Sequence, residues 1–202
     1  MKRILDILVS LVGLFLCGPV IAAIAATILI RSGRPILFRQ RRIGLQGREF
    51  ELLKFRTMTR GEGDATLTVH QDPRITREGI ILRHWRLDEL PQLVNVLKGE
   101  MTLVGPRPET PELARLYDQQ ALSRMLSVKP GVTGTSSIEF LDEGMILVNS
   151  RYPPEETYQR VIIPRKIQLI DEYIRTQSLV GDVKILFFTI LRLIFRRGPS
   201  HL

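Results

Sequence analysis

The chain has 202 residues, of which 44% are hydrophobic and 25% are charged, a composition typical of one ordinary globular domain. This composition excludes a disordered tail and a collagen-like repeat, and a single cysteine excludes a scaffold of disulfides within the chain. The net charge of +8 indicates an acidic partner, such as nucleic acid, anionic lipid or a phosphorylated small molecule, and solubility alone is the alternative explanation.

The hydrophobic residues are concentrated at the N-terminus, where 22 of the first 30 residues are apolar. The stretch from Ile7 to Ile30 carries no charge, and as a helix of ~1.5 Å per residue it is long enough to cross a bilayer core. Arginines follow it and favour a cytoplasmic location for the rest of the chain, and Lys2 and Arg3 favour the same side for the other end. A helix that breaks at Gly18-Pro19 and returns satisfies both ends, and a single kinked span is the alternative.

The segment that follows is predicted to be mainly helical with a small sheet. Two short strands come first, at residues 36–38 and 50–53, and a glycine-containing turn at residues 41–47 joins them. Residues 61–72 are polar and irregular and are predicted to form a mobile loop. Apolar residues then recur at helical spacing from Leu90 to Leu97, which predicts a helix with Asp88 at its N-cap position.

Two further helices are predicted over residues 111–126 and 153–177, the second bent or split at Pro164. The last segment, Val180 to Arg197, is strongly apolar and carries a narrow polar stripe. Such a helix either packs in the core or lies in a membrane interface. The apolar N-terminus favours the interface.

Two adjacent carboxylates, Asp88 and Glu89, stand at the predicted start of a helix. The helix dipole favours the ionised form of a carboxylate there. An ionised carboxylate is a nucleophile toward phosphorus or a ligand for magnesium. A capping aspartate followed by a first-turn glutamate explains the same spacing without any chemistry.

Cationic residues surround this pair in the sequence: Lys54, Arg56, Arg83, Arg86 and Arg107. Arg107 lies between Pro106 and Pro108, whose rings fix φ and present the guanidinium from a stiff loop. Lys54 and Arg56 end a predicted strand, which a solvated basic strand end also explains. Carboxylates, several cations and rigid loops together suit a diphosphate substrate with a divalent metal.

Several motifs occur in order from residue 2 to about residue 134. The longest are KFRTM at 54–58, LDELPQL at 87–93, NVLKG at 95–99 and VGPRP at 104–108. The shorter ones are KRxxD at 2–6, FRQ at 38–40, DPRIT at 72–76 and KPGVTG at 129–134. Together they closely resemble the bacterial sugar transferases known as monotopic phosphoglycosyl transferases.

The resemblance implies transfer of a phosphosugar from a UDP-sugar donor to polyprenol (undecaprenyl) phosphate, with release of UMP. This is the initiating membrane step of bacterial glycoconjugate assembly, at the cytoplasmic face of the inner membrane. By resemblance, Asp88 is the nucleophile that forms a covalent phosphosugar-enzyme and contacts Mg²⁺, and Glu89 is its orienting or proton-handling partner. The resemblance also assigns Arg83 to phosphate binding, with Lys54 and Arg56, and the Pro106-Arg107-Pro108 loop to the nucleotide.

The resemblance also favours a re-entrant N-terminal helix over a kinked span. The expected parts are a membrane-inserted helix-break-helix (1–31), a cytoplasmic catalytic domain (32–178) and an interfacial amphipathic helix (179–202). The expected partners are the donor, the acceptor and membrane lipid, with no nucleic acid, and a homo-oligomer is left open. After Gly134 the sequence departs from the family's usual motif, and residues 135–151 are expected to shape the sugar pocket. The chain as a whole looks like the minimal catalytic form of the family.

A non-catalytic membrane-tethered adaptor that binds anionic lipid or nucleic acid is the alternative from another functional class. It accounts for the apolar N-terminus and for the net charge. It does not account for the carboxylate pair beside Arg83 and the Pro-Arg-Pro loop. Binding by such an adaptor is expected to fall steeply with salt and to be indifferent to Asp88.

Overall fold

A computed structural model describes residues 1–59, 67 and 72–195, which are mainly helical, as predicted, and contain two small sheets where one was predicted. Its helices are α1 (Lys2–Leu16), α2 (Gly18–Ser32), α3 (Arg77–His84), α4 (Gln92–Lys98), α5 (Pro111–Ala114), α6 (Gln119–Met125), α7 (Thr135–Glu139), α8 (Glu143–Val148), α9 (Pro154–Thr157), α10 (Ile163–Thr176) and α11 (Leu179–Ile194). Its strands are β1 (Leu37–Ile43), β2 (Glu49–Phe55), β3 (Thr102–Val104) and β4 (Gly131–Thr133). Most of the loop predicted over 61–72, and the end of the predicted last helix, lie outside the described residues.

Helices α1 and α2 form a bent pair at the N-terminus. Their axes differ by 61°, and the bend falls at Cys17, directly before Gly18 and Pro19. Pro19 lies in the first turn of α2, where its missing N–H removes no helical hydrogen bond. Among the described residues no single helix has the length and apolarity to span a bilayer, and α1 and α2 meet that criterion only as a pair.

Both ends of this pair are fixed to the globular part. Lys2 Nζ donates to the carbonyl of Val104 (2.8 Å), the hydroxyl of Tyr173 (2.8 Å) and the carboxylate of Asp182 (2.7 Å). Asp6 is buried and accepts hydrogen bonds from Thr102 Oγ1 (2.8 Å) and Leu103 N (3.1 Å). At the far end, the guanidinium of Arg56 donates to the carbonyls of Ser32 and Gly33. The first and last turns of the pair therefore contact the same body.

Each sheet has two strands. β1 and β2 run antiparallel from the pair Leu37 and Phe55 to the pair Ile43 and Glu49, so both strands are longer than predicted and the turn is confined to residues 44–48. β3 and β4 pair in parallel and were not predicted, because three-residue strands carry no recognisable alternation. The second sheet joins the segments on either side of the Pro-Arg-Pro loop.

Buried hydrophobic side chains form three clusters. The first packs α5, α6, α8 and α10 around a π-helical turn at Tyr158–Ile162. The second lies between β2, α4, β3 and α10. The third is half built from α2 and contains Ile24, Ile28, Phe55 and Leu82. The bent helical pair is therefore part of the core.

The later helices correct the prediction in two places. The helix predicted over 111–126 is split into α5 and α6, because Asp118 caps a new helix by accepting from Ala121 N at 2.8 Å. The segment predicted over 153–177 is helical from Pro154 to Thr176, but its irregularity is the π turn that precedes Pro164. In α11 only Asp182 is buried, but the half-buried Ile185 and Leu186 pack against the second cluster. One side of the helix therefore contacts the core, while other apolar side chains of α11 are exposed.

Candidate active site

The carboxylate pair lies in a 3₁₀ turn, Leu87–Glu89, between α3 and α4. Arg86 precedes this turn in a left-handed conformation (φ 55°), which is uncommon for a residue with a side chain. The N-cap role predicted for Asp88 is wrong, because α4 begins at Gln92 and Asp88 makes no capping hydrogen bond. The first N–H groups of the helix instead donate to carbonyls of the preceding turn.

Asp88 is 7% exposed, and its Oδ1 has no hydrogen-bond partner among the described residues. Burial and the charge of Glu89 raise the pKa of Asp88. Three cations oppose this effect and favour the ionised carboxylate: Lys54, Arg83 and Arg86. A buried carboxylate oxygen without a partner is costly, and this arrangement is typical of an oxygen reserved for a substrate or ligand.

Glu89 is the centre of a group of buried ion pairs. Its Oε1 accepts from Arg107 Nη2 (2.9 Å), Arg86 Nη1 (3.1 Å) and Lys54 Nζ (3.3 Å). Burial opposes ionisation of Glu89, but the three cations outweigh it and hold its pKa well below the usual range. Glu89 therefore carries no proton near neutral pH, which favours the orienting role over proton transfer.

Lys54 reaches this group from the end of β2. Its side chain is 15% exposed, and burial lowers its pKa to about 8. The charge of Glu89 acts in the opposite direction, and that of Arg107 lowers the pKa further. Lys54 is thus a cation whose charge depends on pH near the physiological range.

Arg83, in the last turn of α3, is mostly buried and donates from Nε to Thr57 Oγ1 at 2.8 Å. Burial lowers the pKa of Arg83, and the charges of Asp88 and Asp72 oppose this effect. The guanidinium therefore lies within electrostatic reach of Asp88.

Arg56 does not join the carboxylate pair. Its guanidinium donates to the last carbonyls of α2 and the residues that follow, those of Ser32, Gly33 and Arg34. Carbonyls at a helix end lack helical partners, so Arg56 caps α2. The phosphate-binding role expected of Arg56 has no support in this arrangement.

Arg107 is presented by a short loop in which Pro106 and Pro108 are buried. The loop is tied to the second sheet, where Gly131 N donates to the carbonyl of Pro106 at 2.8 Å. A Cβ on Gly131 would lie 2.1 Å from Gly105 N, so only glycine allows the two segments to approach this closely. The loop has little freedom to move, and the charge of Glu89 raises the pKa of Arg107 further above its usual value.

Within the described part of the chain, no group of three or more carboxylate, histidine or cysteine side chains is arranged to hold a metal ion. A magnesium ion is often bound by one or two carboxylates together with substrate phosphates. The unpartnered Oδ1 of Asp88 fits one such ligand. Oε1 of Glu89 fits less well, because it already accepts from three cations.

Two residues support the site although the sequence analysis assigned them no role. Arg86 forms an ion pair with Glu89, and the spacing of three positions between them could have predicted this contact from the sequence. Asn95 is fully buried, and its side chain accepts from Leu53 N (3.1 Å) and donates to the carbonyl of Glu51 (2.7 Å). Asn95 thereby joins α4, which follows the carboxylate pair, to the strand that carries Lys54. A contact of this kind has no signal in the sequence.

The chain matches the family model described as "Bacterial sugar transferase" over residues 1–196. It is 36% identical over 196 residues to the UDP-glucose:undecaprenyl-phosphate glucose-1-phosphate transferase of Escherichia coli (strain K12), covering 95% of this chain and 40% of that protein. It is 39% identical over 206 residues to the undecaprenyl-phosphate glucose phosphotransferase of Komagataeibacter xylinus, covering 98% of this chain and 36% of that protein.

A third relative is closer in length. The exopolysaccharide production protein ExoY of Rhizobium meliloti (strain 1021) is 33% identical over 215 residues, covering 98% of this chain and 87% of that protein. The chain thus spans less than half the length of the first two relatives and most of the third.

Proposed function

The chain belongs to the bacterial sugar transferase family, as its motifs predict, and we propose that it transfers a phosphosugar from a UDP-sugar to a polyprenol phosphate. The products are a polyprenol-diphosphate-sugar and UMP. The observation that carries this proposal is the buried, unpartnered Oδ1 of Asp88 beside a glutamate that cations keep ionised. The name of one relative specifies UDP-glucose and undecaprenyl phosphate, which are therefore the first donor and acceptor to test.

In the proposed reaction, a carboxylate oxygen of Asp88 attacks the sugar-bearing phosphorus of the donor. A bond forms between that oxygen and phosphorus, the bond from phosphorus to the bridging oxygen breaks, and UMP leaves with the electron pair. An oxygen of the polyprenol phosphate then attacks the same phosphorus and releases Asp88. One site thus serves a soluble donor and a lipid acceptor in turn, which predicts ping-pong kinetics.

The charges around Asp88 suit this reaction. Burial raises the pKa of Asp88 and makes its carboxylate more basic, while Arg83 and Lys54 favour the ionised form that attacks. In this proposal, Arg107 and Lys54 stabilise the negative charge that builds on the leaving UMP. Glu89 holds these two cations in position through its Oε1.

We also propose that the reaction requires Mg²⁺, held by Asp88 Oδ1 together with the phosphates of the donor. When bound, the ion neutralises part of the charge of the diphosphate. The residues fit this role because Asp88 offers a buried oxygen that no described side chain occupies.

For the membrane, we propose that α1 and α2 enter and leave on the same, cytoplasmic side of the bacterial inner membrane. A straight helix of this combined length (~45 Å at 1.5 Å per residue) would place its ends on opposite faces of a bilayer. Here Lys2 at one end and Ser32 at the other both bond to the globular part, through Asp182 and Arg56. Exposed apolar side chains of α11, and of Phe195 directly after it, are of the kind that lies in a membrane interface, and we propose that they contact the same membrane: Val180, Val183, Phe187, Phe188, Ile190, Ile194 and Phe195.

The test is UMP release by the purified full chain with Mg²⁺, a polyprenol phosphate and a panel of UDP-sugars. Asp88→Asn is expected to reduce the turnover rate by at least ~1,000-fold without lowering the unfolding temperature, because it removes the nucleophile. Asp118→Asn is the matched control, since asparagine caps a helix as well as aspartate does. If the folded protein released no UMP with any donor, the adaptor would be favoured. Normal turnover by the Asp88→Asn variant would exclude Asp88 as the nucleophile.

A further inference from the structure

A buried polar network lies directly behind the loop that presents Arg107. Glu109 is 3% exposed, and its Oε1 accepts from the hydroxyls of Tyr117 and Tyr158 (both 2.9 Å) and from Lys166 Nζ (3.1 Å). Lys166 is 4% exposed and also donates to the hydroxyl of Tyr158 at 2.8 Å. Burial opposes ionisation of Glu109, but the charges of Lys166 and Arg42 and the two hydroxyls outweigh it and lower the pKa of Glu109. The network therefore buries a true ion pair.

This network continues into the backbone of the loop. The carbonyl of Glu109 accepts from Ile43 N at 3.0 Å, and the carbonyl of Pro108 accepts from Arg42 Nη1 at 2.8 Å. Glu109 is two residues from Arg107, and Pro108 is the only residue between them. The side chain of Glu109 and the two carbonyls thus fix the end of the loop from which the guanidinium of Arg107 reaches Glu89.

Burial of an ion pair is weak evidence that the pair stabilises the fold. Moving two charges out of water is costly, and apolar residues of similar volume are often as stabilising as a buried pair or more so. What such residues do not reproduce is the fixed direction of several hydrogen bonds to one carboxylate oxygen. The geometry is therefore better explained by the position that it gives to the loop.

We propose that Glu109 and Lys166 are positioning residues for Arg107, and that their ion pair sets the place of this guanidinium for the donor diphosphate. The proposal rests on the function proposed above, because it assigns Arg107 to the leaving nucleotide. It predicts that loss of the pair impairs the half-reaction of the donor more than that of the acceptor.

Lys166 extends the network toward the segment that departs from the family. Its Nζ lies 3.0 Å from Oε2 of Glu143, the first residue of α8, whose side chain is 29% exposed. The charge of Glu143 also raises the pKa of Arg107, so the two side chains are within electrostatic reach. One ammonium thus connects the nucleotide loop to the stretch expected to shape the sugar pocket.

The experiment compares the wild-type full chain with the double variant Glu109→Gln/Lys166→Met. Both substitutions nearly keep the side-chain volume, and together they remove both charges of the pair. Glu143, which also contacts Lys166, has a side chain that is 29% exposed and is therefore open to water in the variant. With ping-pong kinetics, kcat/KM for each substrate reports its own half-reaction. We expect kcat/KM for the UDP-sugar to fall at least ~10-fold, since a misplacement of ~1 Å can cost about 100-fold. We expect kcat/KM for the polyprenol phosphate to change less than twofold and the unfolding temperature to be kept.

A second measurement does not depend on activity. Hydrogen exchange of the amides of Gly105, Arg107 and Glu109 is expected to accelerate in the double variant, because the loop loses a fixed anchor. The matched control is Arg124→Met/Asp171→Asn, which removes an exposed ion pair between α6 and the helix that carries Lys166, α10. In this control neither the exchange of the loop nor the ratio of the two kcat/KM values is expected to change.

The outcomes separate the two proposals. If kcat/KM fell equally for both substrates and the unfolding temperature of the double variant fell as well, the pair would only stabilise the fold. That result would overturn the positioning role. Unchanged exchange of the loop with unchanged kcat/KM for the donor would overturn it as well. If the wild-type chain released no UMP with any donor, the proposed function would fail, and the exchange of the loop alone would decide whether the pair positions Arg107.

Discussion

Raising the pH above about 8 is expected to stabilise the fold, and Lys54 is the residue responsible. Burial lowers the pKa of Lys54 from 10.5 to about 8 in the folded protein. Between these two pH values the unfolded chain binds a proton that the folded chain does not, so the free energy of unfolding rises with pH. The gap between the two pKa values corresponds to about 3 kcal/mol.

Activity is expected to change in the opposite direction. Once Lys54 is neutral, it no longer offsets the charge of Glu89 or of a bound diphosphate. We therefore expect kcat/KM for the donor to fall about tenfold per pH unit above 8. In Lys54→Arg the falling limb should move to higher pH, because a guanidinium keeps its charge in this range.

The assay is equilibrium unfolding in detergent at several pH values from about 7 to above 10, for the wild-type chain and for Lys54→Met. The stability of the wild type relative to the variant should increase by about 3 kcal/mol across this range, since other titrating groups cancel in the difference. Lys98→Met removes an exposed lysine at the end of α4 and is the matched control. If the free energy of unfolding had the same dependence on pH in the wild type and in Lys54→Met, the lowered pKa of Lys54 in the folded protein would be refuted.

Two further predictions concern the architecture. Asn95→Ala should lower the free energy of unfolding by about 2–4 kcal/mol, because the buried N–H of Leu53 and the part-buried carbonyl of Glu51 lose their partner. Denaturant titration checks this, with the exposed Asn149→Ala as control, and a loss equal to that of the control would refute it. In a Cys17→Ser background, a cysteine placed before Met1 should react only from the cytoplasmic side, as a cysteine at the exposed position Ser123 does. Labelling from the periplasm would refute re-entry.

The carboxylate region could be predicted from the sequence because its members are close together in the chain. Asp88 and Glu89 are adjacent, Arg86 is three positions from Glu89, and the prolines that stiffen the Arg107 loop flank that residue directly. Local spacing of this kind fixes which side chains share a turn. It does not fix their partners, and so Asp88 was wrongly predicted to cap a helix that begins at Gln92.

The contacts across the fold could not be predicted, because they depend on how distant elements pack. Lys54 and Arg56 belong to one short motif, yet one reaches Glu89 and the other caps α2. The buried Glu109 and Lys166 are 57 positions apart and show no periodicity that distinguishes them from exposed charges. Such pairs are set by tertiary packing. A pattern of hydrophobic residues predicts whether a segment is a helix or a strand, but not which distant residues that segment contacts.

The attachment of the bent helical pair at both ends makes it a structural element of the enzyme rather than a tether. Leu93 of α4 packs against Gly13 of α1, and α2 supplies Ile24 and Ile28 to the core. The carboxylate pair directly precedes α4. With the membrane insertion proposed above, the depth of this pair relative to the lipid head groups is set by rigid packing. In the proposed reaction, a polyprenol phosphate moving in the bilayer would then meet Asp88 at one constant height, without any movement of the globular part. For the same reason, deleting the pair would expose the core instead of yielding a soluble enzyme.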